Sequence, residues 1–190
     1  MRDILLNLWL SSAIVIAIVI VLLLITTYNR LVSLRQNCNQ GVADIDAGLR
    51  QRHDLIPNLV AAVKGYAAHE KDTFDAVIAA RNQADAARGA SAGAETALGG
   101  ALGKLFALAE AYPELKASAN FQSLQGELAD VEDKLAAARR AQNAAAANYN
   151  AARESFPAVL FSSMLGFSAY DFQRIGDTER DVKDAPVVAF

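Results

Sequence analysis

Apolar and polar positions divide the chain into two regimes. From Ile4 to Ile25 the residues are almost continuously apolar, with no charge inside the run. A membrane-crossing helix needs about 20 apolar residues to cover roughly 30 Å of hydrocarbon, and this run meets that length. After Tyr28 the pattern becomes periodic. Leu31, Leu34, Cys38, Val42, Ile45 and Leu49 step by three and four, which predicts one buried stripe on a helix. The stepping continues through Arg52, Ile56, Leu59, Val63, Tyr66, Glu70, Thr73 and Val77, with an end expected around Arg88. A shorter stretch follows from about Leu102 to Tyr112. From about Glu114 the longest helix is expected, with Phe121, Leu124, Leu128, Val131, Leu135, Ala138, Gln142, Ala145, Tyr149, Ala152 and Phe156 as its seam. Such sustained heptads predict bundle or coiled-coil packing.

Breakers punctuate this series. Pro57 removes a backbone donor and crowds the preceding turn, so a kinked continuous rod and a tight αα-hairpin both fit, with Asp54 as a cap in the second case. Gly89 to Gly93 reads as a flexible connector, and Gly99 to Gly103 as a loose start for the next helix. Phe156-Pro157 stops the long helix, and a short apolar piece from Val159 to Phe167 closes at Gly166. Only Pro186 to Phe190 has any strand character. The fold expected is all-α: a transmembrane helix, then an antiparallel bundle of about four long helices and a short C-terminal helix. The tail and span occupy 1–27, the bundle 28–170 and a charged C-terminal tail 171–190.

The apolar run reads as a permanent anchor bounded by Ile4 and Ile25, with Trp9 and Tyr28 placed for the two interfacial aromatic belts. A cleaved signal peptide would have a shorter apolar region and a small-residue exit, and neither is present. Arg30 and Arg35 follow the run with no acid before Asp44, while Arg2 is offset by Asp3. That count favours a short outside N-terminus and a cytoplasmic bulk; a signal anchor with a periplasmic domain is the opposite case.

Net charge is −3, with acids and bases interspersed, which leaves no basic footprint for nucleic acid. Cys38 is the single cysteine, so an intrachain disulfide is excluded, and its register predicts burial. His69-Glu70 lacks the second histidine one turn on that a zinc helix needs, and His53 is too distant to supply it. Gly99-Gly-Ala-Leu-Gly103-Lys104 lacks the spacing and the hydroxyl of a phosphate loop. Asp44 and Asp46 face different sides of a helix, and Glu110, Glu114 and Glu127 fit helix ends or solvated faces. No serine or cysteine has an adjacent activating base. Tyr66, Tyr112 and Tyr149 follow the seams and are expected to pack there. No catalytic, metal or cofactor site and no small-molecule substrate emerges.

Several phrases together resemble the LemA family. They include Tyr28-Asn-Arg-Leu-Val32, Arg52-His-Asp-Leu-Ile-Pro-Asn-Leu-Val60, Val63-Lys-Gly-Tyr-Ala67, Leu105 to Lys116, Tyr149-Asn150, Phe156-Pro157 and Pro186-Val-Val-Ala-Phe190. The resemblance implies a single-pass protein of the bacterial inner membrane with a helical domain and no established activity. A related member is associated with magnetosome membrane formation, which implies organising or shaping of membrane. Gly41-Val42 and Ala47-Gly48 depart from the family pattern. A glycine inside a helix costs about 1 kcal/mol against alanine, so altered packing is expected there.

The motif formed by Arg52, Asp54, Leu55, Ile56, Pro57 and Asn58 is the candidate hinge or interaction surface. The function expected is a non-enzymatic, membrane-anchored scaffold whose partners are the lipid bilayer and further copies of itself. The alternative is an adaptor or regulatory subunit for another membrane protein, such as a protease or sensor.

Overall fold

The computed structural model describes residues 2–87 and 91–172, with side chains from Trp9 onward. Every regular element among them is helical: α1 (Arg2–Lys64), α2 (Lys71–Ala87), α3 (Ala92–Glu110), the single turn α4 (Pro113–Lys116), α5 (Ala119–Glu154) and a 3-10 turn at Ala158–Leu160. The all-α expectation holds. The strand character of Pro186 to Phe190, and the charged tail from Gln173 on, lie outside the described residues.

Helix α1 begins with the apolar run. Among the described residues this is the one helix long and apolar enough to cross a membrane. None of its span packs inside the protein, and Trp9, Ile25 and Tyr28 are all exposed. A core helix would bury such residues, so the exposure belongs to a segment whose solvent is lipid.

The chain forms two compact units. The first comprises Met1–Gln40 and Gln142–Phe172. Its core gathers Leu31, Cys38, Ala146, Tyr149, Ala158 and Phe167. Cys38 is fully buried, as its register predicts. Gly166 adopts φ 76°, a left-handed conformation that glycine takes without penalty, and the chain there turns Phe167 into the core. Phe167 meets Tyr28 edge-on at 5.4 Å, and the Arg35 guanidinium stands 5.2 Å over its ring.

Two neighbouring side chains of α5 hold the segment that follows. The Tyr149 hydroxyl donates to the Ser168 carbonyl at 2.9 Å. The Asn150 amide donates to the Tyr170 carbonyl and accepts from the Tyr170 N–H, both at 2.9 Å. Burial raises the pKa of the Tyr149 hydroxyl, against the lowering pull of Arg35 and Arg153. Replacing Asn150 with alanine removes both bonds to one backbone unit, each worth about 0.5–1.5 kcal/mol. The Asn150→Ala protein is therefore expected to exchange its amide hydrogens several-fold faster across residues 167–172, read by hydrogen-exchange mass spectrometry, while α2 and α3 stay protected.

The second unit covers Gly41–Ala141. Its main core runs from Ile56, Leu59 and Val63 on α1 through Phe74, Val77 and Ala84 on α2 and Leu98, Leu102 and Leu105 on α3 to Phe121 and Leu128 on α5. A smaller cluster joins Ile45 and Leu49 to Val131 and Leu135. Here Gly48 finds its reason: a Cβ at that position would lie 2.7 Å from Leu135 Cδ2. The glycine permits a close approach between α1 and α5.

Four expectations about the elements need correction. The chain turns after Gly65 rather than running on toward Arg88: the Val63 carbonyl accepts from both Tyr66 and Ala67 N–H groups, and α2 starts at Lys71. Tyr66 consequently sits in the turn and is exposed, while Tyr149 is buried and Tyr112 half-buried. Helix α3 starts ten residues before Leu102, with the Ser91 hydroxyl accepting from the Ala94 N–H at 3.3 Å as an N-cap. The buried stripe Leu98, Leu102, Leu105 and Ala109 outweighs the glycines' conformational entropy. Finally α1, not α5, is the longest helix, 63 residues against 36, because it runs unbroken from the apolar span through Pro57, and α5 starts at Ala119 rather than near Glu114. Phe156, placed in the α5 seam by the heptad pattern, lies beyond the end of that helix and is exposed.

Candidate functional site

The Arg52–Asn58 motif lies inside α1, which continues unbroken through Pro57. The hairpin reading therefore falls, and Asp54 is mid-helix rather than a cap. Helical geometry sorts the motif into two faces. Ile56 is buried and Leu55 half-buried, whereas Asp54, Pro57 and Asn58 are exposed. Arg52 and His53 point inward instead, only 7% and 3% exposed.

Burying a guanidinium demands partners. Arg52 Nη1 donates to Glu95 Oε2 at 2.9 Å, and its Nε lies 2.7 Å from Glu132 Oε1. Glu95 comes from the first turn of α3, and Glu132 from α5. The other Glu95 oxygen meets His53 Nε2 at 3.1 Å. On the opposite edge of the imidazole, Nδ1 faces Asp85 Oδ1 of α2 at 3.7 Å. Two adjacent residues of α1 thus touch α2, α3 and α5 through carboxylates.

The proline completes the arrangement. In a helix the His53 carbonyl should accept from the N–H four residues on, and that residue is Pro57, which has none. Arg81 of α2 supplies the missing donor: its Nε donates to the His53 carbonyl at 3.3 Å. Its Nη2 also lies 4.0 Å from Asp54 Oδ1. The proline that sequence reading treats as a possible bend is the cause of a cross-helix bond.

Sequence reasoning singled out Arg52 but not His53, Arg81, Glu95 or Glu132. The signal for His53 and Arg81 was present in the bulky polar positions beside Pro57 and on the α2 seam. Glu95 and Glu132 are reached only through tertiary packing. The carboxylates of Asp85 and Glu95 meet opposite edges of the imidazole and so do not converge on one point. Among the described residues no group of three or more potential ligands is placed to hold a metal ion.

Beside Arg52 and Glu132 lies a groove of about 350 Å³ between α3 and α5, lined mainly by Leu102, Phe106, Leu128 and Ala129 with Gly99 and Gly103. A Cβ at Gly103 would meet nothing within 4 Å, so the floor there is open. Its wall is apolar, and its charged end is already paired.

Comparison with known proteins supplies the affiliation. Residues 41–190 match the LemA family. The chain belongs to the LemA family. It is also similar to the Magnetosome protein MamQ of Magnetospirillum gryphiswaldense, 23% identical over 210 residues that cover 96% of this chain and 76% of MamQ. Magnetosome protein MamQ 2 of Paramagnetospirillum magneticum is 23% identical over 193 residues, covering 87% of this chain and 70% of the relative. The stretch that matches the LemA family contains the whole Arg52–Asn58 motif and each of its partners. With this affiliation and the exposed apolar helix, the chain is a membrane protein.

Proposed function

We propose that this LemA-family protein is a non-enzymatic scaffold, anchored by one span, whose helical domains associate laterally and organise the membrane around them. The observation that carries the reading is the use made of the motif's charges. Arg52 and His53 are turned inward onto Glu95, Glu132 and Asp85, where they hold helices together and present no group to a substrate. The second unit leaves open an apolar groove floored by small residues, which supports this reading because apolar side chains of a further copy could enter it. The relatives named for the magnetosome fit a role in organising membrane. The bulk of the chain is cytoplasmic in this proposal, following the positive charge of Arg30 and Arg35.

Extraction of the full-length protein in mild detergent or native nanodiscs, followed by light scattering and electron microscopy, is expected to return discrete large assemblies. Strictly monomeric particles at native density in the membrane would overturn the scaffold. A second reading, an adaptor for another membrane protein, is favoured by one observation: Asp54 and Asn58 are exposed one turn apart on α1 beside the exposed Pro57. In that case a single stoichiometric partner accompanies the monomer and is lost from the Asp54→Ala, Asn58→Ala double variant.

A further inference from the structure

Apart from Tyr28 and Phe172, the large apolar side chains that the first unit leaves uncovered after the span lie in one short segment. Phe156 is 81% exposed, Leu160 68% and Met164 86%, and Val159 and Leu165 are about half exposed. All five lie between the end of α5 and Gly166. A soluble surface seldom gathers so many large apolar groups within ten residues without a partner.

The position of this segment identifies the partner. Ser155, Phe156, Pro157 and Ala158 share the lining of a cavity of about 280 Å³ with Thr26, Thr27 and Arg30. Those α1 residues immediately follow the apolar run that ends at Ile25. At 1.5 Å per residue Arg30 is about 8 Å beyond that end, and the headgroup layer extends roughly 5–8 Å past the hydrocarbon. The turn is therefore held at the depth of the lipid headgroups. Further along, Phe167 fixes the same segment against Tyr28 and Arg35.

Charge agrees with depth. Thr26 and Thr27 return their hydroxyl protons to the carbonyls of Leu22 and Leu23, so the cavity's free donor is the Arg30 guanidinium. Arg30 is exposed and has no ion-pair partner among the described residues. A cation beside apolar side chains at this depth suits a phosphate group above acyl chains.

We infer that the Phe156–Leu165 turn is a second membrane contact, lying in the interface of the same bilayer that holds the span, with Arg30 facing phospholipid phosphate. The inference rests on the reading of α1 as a membrane span. The turn pins the end of α5 to the lipid surface, so the first unit meets the bilayer at two points rather than swinging on a single helix. A second copy of the chain is the competing occupant, and it would have to reach the turn through the headgroups.

The test uses full-length protein in phosphatidylcholine–phosphatidylglycerol vesicles containing lipids brominated at defined depths. Trp9 is the single tryptophan, so Trp9→Phe makes a background in which Leu160→Trp or Met164→Trp reports on the turn. Ala144→Trp, exposed on α5 ten residues before Glu154, is the control. Quenching at positions 160 and 164 is expected to be several-fold stronger than at 144, strongest with bromine near the headgroups, and weaker in Arg30→Gln. Quenching no greater than the control overturns the second contact. Blue-shifted emission that bromine leaves untouched and that grows with protein density also overturns it, and assigns the turn to a second copy. Trp9 in the native chain separates the two levels: its quenching by brominated lipid, strongest with bromine at the shallower positions, upholds the span whatever the turn does, and the absence of quenching at every depth removes both.

Discussion

Replacing Arg52 with alanine is expected to destabilise the second unit by about 3–5 kcal/mol, the range for breaking one side of a buried ion pair. The cost comes less from the lost attraction than from what remains. The side chain of Glu95 is only 11% exposed, and without Arg52 its carboxylate keeps His53 alone as a partner. Glu132 is far more open, 44% exposed, and water can replace the guanidinium there. Removing charge from both sides should therefore recover most of the loss, so Arg52→Met with Glu95→Gln is expected to unfold close to the parent. Denaturant unfolding of the full chain in mild detergent, followed by helical circular dichroism, measures both. A loss below about 1 kcal/mol for Arg52→Ala would mean that water reaches Glu95.

The second large effect concerns the bond that Pro57 makes necessary. An interior helical proline costs about 3 kcal/mol relative to alanine in an unadapted helix, and here the Arg81 side chain has taken over the orphaned His53 carbonyl. Arg81→Ala is expected to cost about 1.5–3 kcal/mol, as for a hydrogen bond with a charged donor. Pro57→Ala restores an N–H four residues beyond His53, so by itself it should stabilise the helix. In that background Arg81→Ala should cost much less, giving a coupling of about 1–2 kcal/mol between residues 24 apart in sequence. Additive effects would show that Arg81 acts through Asp54, its other neighbour at 4.0 Å.

These two cases show what the sequence could reveal. The apolar stripe Leu31, Cys38, Ile45, Leu49, Ile56, Leu59 and Val63 is buried as its spacing predicts, because one helical face suffices to define it. Arg52 falls in the same stepping and is buried too, but its partners are 43 and 80 residues away. Local periodicity has no access to such pairings. The turn at Gly65 is hidden for a different reason: the three-four pattern continues across it, and only the shortened three-residue bonds from Tyr66 to Val63 and from Glu70 to Ala67 reveal that the chain has left the α-helix. Pro57 was the stronger local signal of a break, and Arg81 is what overrides it. In α3 the glycines were equally misleading, since buried Leu98 and the Ser91 cap lie outside the stretch whose periodicity was clearest. Phe156 carries the opposite lesson. Its place in the heptad register predicts burial, whereas it lies past the end of α5 and is exposed, one of the five apolar side chains of the proposed lipid contact.

Cys38 gives the first unit a clock of its own. The thiol is fully enclosed, and burial pushes its pKa up from the ordinary 9.0, so neither access nor ionisation favours reaction while the α1–α5 seam is shut. A thiol reagent can modify it only during an opening. As the chain's single cysteine it reports from one place, with no background from elsewhere. The rate of its modification, followed through bilayers of differing composition, times how often this seam breathes while the helices of the second unit remain folded.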